Sequence, residues 1–209
     1  MLDVAGDHLT FARHAAASFH SIGAVAPSGR ELVAAMTAAI DPDGDPVRVL
    51  EVGAGTGPMT QGLLRRLPAG SSLVVVEPNT GFTERLRALG AQRPDVTTEV
   101  HAVLLQDLDA PGPYHHIVSS LPFAIFSADV VETIVERLLA DLTPGGIFSY
   151  FAYRGAQLRI ALTPPGRERD KQLAVQGYLR RVHAEHHGTT VPAWINLPPA
   201  VVRTIRLPG

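Results

Sequence analysis

Short β-rich runs alternate with longer segments of helical periodicity through the middle of the chain. The apolar runs lie near residues 47–52, 73–77, 97–104, 117–119 and 147–152. Helical spacing lies near residues 58–67, 80–90 and 128–141. A helix between successive strands is typical of parallel sheets, because the crossover must return the chain to the same edge. We therefore predict an α/β fold: a doubly wound, Rossmann-like, mostly parallel sheet with helices on both faces.

The segment before the sheet predicts two helices. Residues 8–22 carry an apolar stripe at helical spacing. Ser28, with Glu31 three residues later, has the spacing of a capping box and predicts a second helix that runs to about Ile40. Residues 1–40 would then form a helical cap on the sheet.

The segment after the sheet predicts a helix and a hairpin. Residues 167–187 are charged and helical in character, and the β-like runs 190–195 and 200–207 lie close together. Two strands so close in sequence pair antiparallel, which brings the predicted sheet to seven strands. We expect one domain over residues 1–209, in which residues 157–187 form a helical insertion that could act as a lid.

The composition excludes several kinds of site and partner. The chain contains no cysteine, which excludes disulfides, zinc–thiolate sites and thiol nucleophiles. Its formal net charge of −2 argues against nucleic acid as a partner. Asp3 and Asp7 stand where a secretory signal would be basic, and no apolar run reaches the length of a membrane span. We expect a cytoplasmic protein, with peripheral membrane contact left open.

A glycine turn follows the first predicted strand. Residues 47–57 read Val-Arg-Val-Leu-Glu-Val-Gly-Ala-Gly-Thr-Gly, and Pro58 opens the next helix. A strand, a tight glycine turn and a helix start make a nucleotide-binding corner, because side chains there would hold a ligand away from the backbone N–H groups. A dinucleotide fingerprint needs glycine at position 58, and a P-loop needs a following Gly-Lys-Ser/Thr, so neither pattern is present. A glycine turn that binds nothing is the alternative.

The pattern Glu-x-Gly-x-Gly-x-Gly, which begins at Glu51, resembles motif I of the class I S-adenosylmethionine (SAM) methyltransferases. The resemblance implies that SAM is the cofactor and that Glu51 faces the amino group of its methionine part. It also places Gly53, Ala54, Gly55 and Gly57 against the cofactor.

Glu77 ends the second predicted strand, where an acidic side chain can accept both ribose hydroxyls of an adenosine. A surface glutamate that caps the next helix is the alternative. Pro78 then turns the chain beside the cofactor. Many class I methyltransferases hold the adenine amino group with an acidic residue after the third strand. The aligned residue here is Val103, so Gln106, Asp107 or a backbone carbonyl would have to take that part.

A proline loop follows the fourth predicted strand, where residues 119–123 read Ser-Ser-Leu-Pro-Phe. Pro122 forces Leu121 into extended backbone at the carboxyl end of the strand, where ligands bind in open α/β sheets. Enzymes that methylate amines often carry Asn/Asp-x-Pro-Tyr/Phe here, and Ser120 replaces the Asn or Asp. Ser119 is expected to contact the cofactor. A proline turn that only closes the core is the alternative.

Four segments occur in one order along the chain: Gly23–Ser28, the glycine corner, Val118–Pro122 and Trp194–Ala200. Together they resemble the bacterial phospholipid N-methyltransferases, which act on phosphatidylethanolamine and are relatives of the rRNA adenine dimethyltransferases. In this family pattern the first of these segments would close over the cofactor.

The resemblance predicts a SAM-dependent methyltransferase that N-methylates an amine, such as the phosphatidylethanolamine headgroup or a related lipid. Ser120, Leu121 and Pro122 would be the catalytic loop, and Tyr153 would stand near the reacting nitrogen and help an ammonium lose its proton. The slightly acidic chain leaves other acceptors open. A soluble natural-product intermediate is one alternative, RNA is a second, and a SAM-binding protein that transfers no methyl group is a third.

Histidines cluster near the end of the last predicted helix. His183 and His187 lie one helical turn apart, a spacing that suits metal ligands, but a metal site needs a third ligand. Histidines at the negative pole of a solvated helix end explain the cluster equally well. We expect no metal.

Overall fold

The computed structural model describes residues 29–155, 160, 162–195 and 199–209. The predictions made for residues 8–22 and for Gly23–Ser28 lie outside the described residues.

Helices and strands alternate from the first described residues to the end of the fifth strand. The elements are α1 Arg30–Met36, β1 Arg48–Val52, α2 Pro58–Arg66, β2 Ser72–Val76, α3 Thr83–Gly90, β3 Thr97–His101, β4 Tyr114–Ser119, α4 Ala128–Ala140, β5 Leu142–Tyr153, α5 Arg167–Glu185, β6 Thr189–Ala193 and β7 Ala200–Arg206. Short 3₁₀ turns lie at Thr80–Phe82, Leu105–Asp107 and Phe123–Ile125.

The strands form one seven-stranded sheet in the order β3-β2-β1-β4-β5-β7-β6. Strands β1 to β5 pair in parallel, whereas β7 pairs antiparallel with both β5 and β6. The order reverses at β1, so the carboxyl ends of β1 and β4 flank the crevice in which such sheets bind ligands. The predicted fold class, including the antiparallel hairpin, is confirmed.

The sheet separates two apolar clusters because successive side chains of a strand point to opposite faces. Leu50 and Val52 of β1 face α4 and α5, whereas Val49 faces α1, α2 and α3. The helices contribute fully buried residues such as Leu63 and Val135. Each such side chain stabilises the fold by about 1.5–3 kcal/mol through its removal from water.

The structure corrects the predicted start of α1. Its N-cap is Gly29, with no side-chain cap, and the helix ends at Met36 rather than near Ile40. The predicted capping box pairs Glu31 with Ser28, which lies outside the described residues. Within the described residues, the Glu31 carboxylate accepts a hydrogen bond from the backbone N–H of Ile195 at 2.6 Å, a contact that is distant in sequence.

Three strand boundaries also differ from the prediction. β4 begins at Tyr114 rather than at Ile117. β3 ends at His101, and the apolar residues that follow it enter the 3₁₀ turn Leu105–Asp107. β5 begins at Leu142, well before Ile147. An apolar run in the sequence marks buried positions rather than strand ends. Buried positions can continue after a strand has ended, or begin only after a strand has started, so the run and the strand differ in length.

Helix α5 confirms the helical prediction for this segment and packs into the core. Val175, Leu179 and Val182 are buried in the cluster shared with α4. At its start, the ammonium of Lys171 donates to the carbonyl of Ile125 at 2.8 Å, which ties the helix to the turn after β4. The helical part of the predicted insertion is therefore a structural layer, and a lid formed by this region stays a prediction.

Among the described residues, no helix is both long enough and apolar enough to cross a membrane.

Candidate active site

A cavity of about 840 Å³ opens at the carboxyl edge of the sheet. It joins the glycine turn after β1, the end of β2, the 3₁₀ turn after β3, the loop after β4 and one face of α4. Its lining residues are Val52, Gly53, Gly55, Val76, Glu77, Pro78, Asn79, Phe82, Leu104, Leu105, Gln106, Asp107, Ser120, Leu121, Pro122, Ile125, Phe126, Asp129, Val130, Thr133, Ile134 and Arg137. The structure thus brings the predicted cofactor corner and the predicted acceptor loop into one space.

The glycine corner adopts backbone conformations that favour glycine. The φ angles of Gly53, Gly55 and Gly57 are +78°, +55° and +90°. A Cβ at Gly53 would lie 3.1 Å from the side chain of Leu121, and one at Gly57 would lie 2.6 Å from that of Leu89. A Cβ at Gly55 would meet nothing within 4 Å. A Cβ at Gly57 would require Leu89 to move, and one at Gly53 would crowd Leu121, whereas Gly55 borders open space in the cavity.

Glu77 holds the glycine turn against the end of β2. Its carboxylate accepts hydrogen bonds from the backbone N–H of Gly55 at 2.7 Å and of Asn79 at 2.9 Å. The side chain is 9% exposed and lines the cavity. The next 3₁₀ turn is capped by the Asn79 side chain, which accepts from Gly81. The structure therefore does not support the alternative of an exposed glutamate that caps the next helix.

Glu51 lies fully buried behind the corner and does not line the cavity. Neither carboxyl oxygen has a hydrogen-bond partner. Burial raises the pKa of Glu51 to about 8, and Thr60, close by but outside hydrogen-bond geometry, lowers it only in part. An orphaned carboxyl under a glycine turn is a group to which a cation could be presented.

The far end of the cavity bears on the question of adenine. Val103 packs against the core and does not line the cavity, whereas Gln106 and Asp107 do. The predicted replacements for an acidic residue at position 103 are therefore in place to contact a ligand.

The loop after β4 continues the sheet and then turns into the cavity. The backbone N–H of Ser120 donates to the carbonyl of Val52 at 2.8 Å, and that of Leu121 donates to Oγ of the buried Ser119 at 3.3 Å. Oγ of Ser120 is buried without a partner, although the residue lines the cavity. Ser120 therefore holds its hydroxyl just beneath the cavity surface, without a partner among the described residues, and Pro122 offers a rigid surface to an acceptor.

The aromatic residue of this loop is not available to an acceptor. Phe123 is 4% exposed, and its ring packs edge-to-face on Tyr150 at 5.6 Å between centroids. Phe126, three residues later, lines the cavity in its place. The sequence analysis missed Phe126 because the 3₁₀ turn Phe123–Ile125, which rotates the chain, left no signal in the pattern.

Tyr153 stands at the end of β5 and does not line the cavity. It packs with Phe151 on the opposite face from Tyr150, in the cluster shared with α1. Burial raises the pKa of its hydroxyl above the ordinary value of 10.0. The structure therefore does not bring Tyr153 together with Ser120 in the cavity of the described residues.

The sequence analysis also missed a polar stripe on α4. Asp129, Thr133 and Arg137 recur every four residues and line the cavity. Nε of Arg137 donates to the carboxylate of Asp141 at 2.7 Å, which fixes the guanidinium at the end of the stripe. Polar residues four apart on an apolar helix were the signal that could have revealed this face.

No group of three or more histidine, cysteine, aspartate or glutamate side chains is placed to hold a metal ion within the described residues. The ring of His183 contacts the hydroxyl of Thr190 at 3.3 Å.

Comparison with known proteins places this geometry. Residues 49–146 match the family model described as a methyltransferase domain. The described fold is the Rossmann-like fold of the solved methyltransferases described below. The predicted cofactor, SAM, is the one that these solved proteins hold, as SAM or as S-adenosylhomocysteine.

The domain is 30% identical over 182 residues to ribosomal RNA small subunit methyltransferase A of Cupriavidus metallidurans. This alignment covers 85% of the chain and 62% of the relative, so the chain spans about three fifths of that protein's length.

Two solved methyltransferases share the fold at low identity. The O-methyltransferase TomG from Streptomyces achromogenes, solved with SAM, is 16% identical with a TM-score of 0.64, over 94% of this chain and 89% of that one. The O-methyltransferase from Bacillus cereus, solved with S-adenosylhomocysteine, is 16% identical with a TM-score of 0.59, over 84% of this chain and 78% of that one. These likenesses show the fold and leave the acceptor open.

Proposed function

We propose that the protein transfers a methyl group from SAM to an amine, and that the amine belongs to a phospholipid headgroup such as that of phosphatidylethanolamine. The observation that carries the proposal is the single cavity shared by the glycine corner, Glu77 and the Ser120–Pro122 loop. A cofactor and an acceptor must meet in one such space for a direct transfer.

The cofactor end fits SAM in three respects. Gly55 leaves open space where a ligand would approach the backbone, Glu77 presents a carboxylate to the cavity, and Glu51 is an orphaned carboxyl behind the turn. In the proposed arrangement Glu77 holds the ribose, and Glu51 offsets the ammonium of the methionine part. Further contacts are proposed for Gly53 and Pro78, which line the cavity. The buried residues Ala54, Gly57 and Ser119 are proposed to support the turn and the loop that hold the cofactor.

The acceptor end has to position an amine in its neutral form. Bound SAM supplies an electrophilic methyl group that needs no activation. The orphaned hydroxyl of Ser120 can accept a hydrogen bond from an amine N–H, while Leu121 and Pro122 restrict its approach. Tyr153 is a neutral phenol at pH 7, and burial raises its pKa further above the ordinary value of 10.0. We therefore assign Tyr153 to orienting the amine rather than removing its proton.

Glu77 allows a direct test of the cofactor end. A Glu77→Ala variant removes the acceptor for the ribose and the partner of two backbone N–H groups, so affinity for SAM should fall at least tenfold, the effect of about 1.4 kcal/mol. The measurement is calorimetric titration with SAM, with the exposed Glu84 changed to alanine as the control. An unchanged SAM affinity in the Glu77→Ala variant would contradict the proposal that SAM binds at Glu77.

A second candidate acceptor is an RNA base, which the Cupriavidus metallidurans relative favours through its name. The net charge of −2 and an apolar cavity lining make this the weaker proposal. Methyl transfer assays with phosphatidylethanolamine vesicles, free small amines and an adenine-containing RNA hairpin separate the candidates. A protein that binds SAM and methylates none of them would be a SAM-binding protein of another kind.

A further inference from the structure

The end of β5 rises above the rest of the carboxyl edge. Ser119 of β4 lies level with Tyr150 of β5, and β5 continues for three more residues to Tyr153. At about 3.3 Å per residue, the end of β5 stands about 10 Å above the level at which β4 ends. The strands β5, β7 and β6 thus form a wall beside the loop that would hold the acceptor.

An aromatic side chain and a cationic side chain lie together at the top of this wall, and neither has a role in the proposed methyl transfer. Tyr153 is level with Ala200 and Ala193, so Trp194 follows at the same height. The guanidinium of Arg154 lies 3.7 Å from the centre of the Trp194 ring. We call Arg154, Trp194 and Ile195 the rim patch.

The rim patch is exposed although it is largely apolar. Trp194 is 58% exposed and Ile195 is 84% exposed. Two of the five large apolar side chains that stand exposed in the described part of the chain are therefore adjacent at this edge of the sheet. Clustered exposure of this kind marks an interaction surface, whereas single exposed apolar residues do not.

Arg154 restricts the kind of partner. Within the described residues no carboxylate pairs with its guanidinium, whose described contact is the indole ring. A guanidinium on an aromatic face keeps its N–H donors free for a phosphate. Tryptophan and arginine beside aliphatic side chains are the combination found at the interface between lipid headgroups and acyl chains.

We propose that the rim patch docks on a phospholipid bilayer, with Trp194 and Ile195 at the acyl boundary and Arg154 on a headgroup phosphate. The proposal rests on the proposed function, because it explains how an amine held in a membrane reaches the Ser120–Pro122 loop. A bilayer fits better than RNA, since the exposed Ile195 side chain gains nothing from a solvated phosphate backbone. The low net charge of the chain points to insertion of apolar side chains rather than attraction to anionic lipid.

Trp194 makes the test direct because it is the single tryptophan of the chain. Its fluorescence is recorded while vesicles of equal parts phosphatidylcholine and phosphatidylethanolamine are added to the full chain. The proposal predicts a blue shift of the emission and quenching by lipids brominated on their acyl chains. An emission spectrum that lipid leaves unchanged would overturn it.

Variants then locate the contact by vesicle flotation. Ile195→Ser should weaken vesicle binding roughly tenfold, because a side chain that enters the acyl boundary is lost. Arg154→Ala should weaken it about threefold. The controls are Val191→Ser, which removes an exposed apolar side chain lower on β6, and Arg65→Ala, which removes an exposed cation on α2. If the controls weaken binding as much as the rim variants do, the rim patch is not the docking surface.

The outcomes separate this inference from the proposed function. If the wild-type protein methylates a free amine but its tryptophan emission does not shift with vesicles, the proposed methyl transfer stands and the proposed docking surface is wrong. If the protein docks through the rim patch but methylates no amine, the docking surface stands and the proposed methyl transfer is wrong. A third outcome is that the protein binds the RNA hairpin and not the vesicles, and that Ile195→Ser or Arg154→Ala abolishes the RNA binding. This outcome would overturn the proposal of a bilayer as the partner and favour RNA.

Discussion

At the scale of single residues, neighbouring glycines of the corner have different tasks. Gly55 and Gly57 both have positive φ, so an alanine at either position costs about 1–2 kcal/mol of backbone strain. Only Gly57 also has a side chain, that of Leu89, in the way of a Cβ. The sequence pattern alone treats the two glycines alike, and the difference is visible only once the neighbours are known.

Gly55→Ala is therefore expected to weaken SAM binding at least tenfold with a small loss of stability. Gly57→Ala, its matched control, should lower the free energy of unfolding by more, through the added contact with Leu89 and Leu86. Calorimetric titration and denaturant unfolding measure the two effects. Equal losses of affinity and stability in both variants would contradict the assignment of Gly55 to the ligand.

Glu51 predicts a pH dependence of stability. Its pKa is raised from 4.5 to about 8 in the fold, so the folded state holds a proton that the unfolded chain releases above pH 4.5. This contribution is full below about pH 4.5 and is lost as the pH rises through 8. Glu51→Gln should be more stable than the wild type at pH 9, by about 5 kcal/mol, and little different at pH 4.5. Denaturant unfolding at both pH values, with Glu84→Gln as the control, checks this.

The same residue links protonation to the cofactor. An ammonium placed beside Glu51 favours the carboxylate, so SAM binding at pH 7 should release a proton. Calorimetric titrations in buffers of different ionisation heat measure that proton. Glu51→Gln should release none, and an equal release from this variant would place the ammonium elsewhere.

At the scale of elements, the burial of α5 indicates that this helix belongs to the core rather than to a lid. Leu179 is 6% exposed in the α4 cluster, whereas Leu173 on the same helix is 42% exposed. Leu179→Ala should lower the free energy of unfolding by about 2–4 kcal/mol. Leu173→Ala should change it by less than about 1 kcal/mol. If the buried variant costs no more than the exposed one, α5 is not part of the core.

The sequence predicted the elements better than their ends. Strand–helix alternation specified the parallel sheet, and the short spacing between the last two runs specified the hairpin, because both are local patterns. The hydrogen bond between Glu31 and Ile195 joins residues far apart in sequence, and no local pattern reports such a contact. The place of Phe123 in the core and of Phe126 in the cavity follows from a 3₁₀ turn that no periodicity reports.

At the scale of the whole molecule, the proposed cofactor site and the proposed acceptor site lie side by side at the carboxyl edge of the sheet. The glycine corner and Glu77 occupy the edge at β1 and β2, and the acceptor loop follows β4 beside the taller end of β5. Of the predicted cofactor residues, those that line the cavity are Gly53, Gly55, Glu77 and Pro78, whereas Glu51, Ala54, Gly57 and Ser119 do not line it. Tyr153 lies at this edge too, but its side chain faces the α1 side of the sheet, and strand position alone did not give that direction.

The central claim is methyl transfer to a lipid amine in the cavity. The direct measurement supplies SAM with an isotopically labelled methyl group and phosphatidylethanolamine vesicles, and identifies the product by mass spectrometry. The account predicts label on the headgroup nitrogen with the wild type and at least tenfold less with Glu77→Ala at limiting SAM. Label on RNA alone, or no labelled amine from a protein that binds SAM, would contradict it.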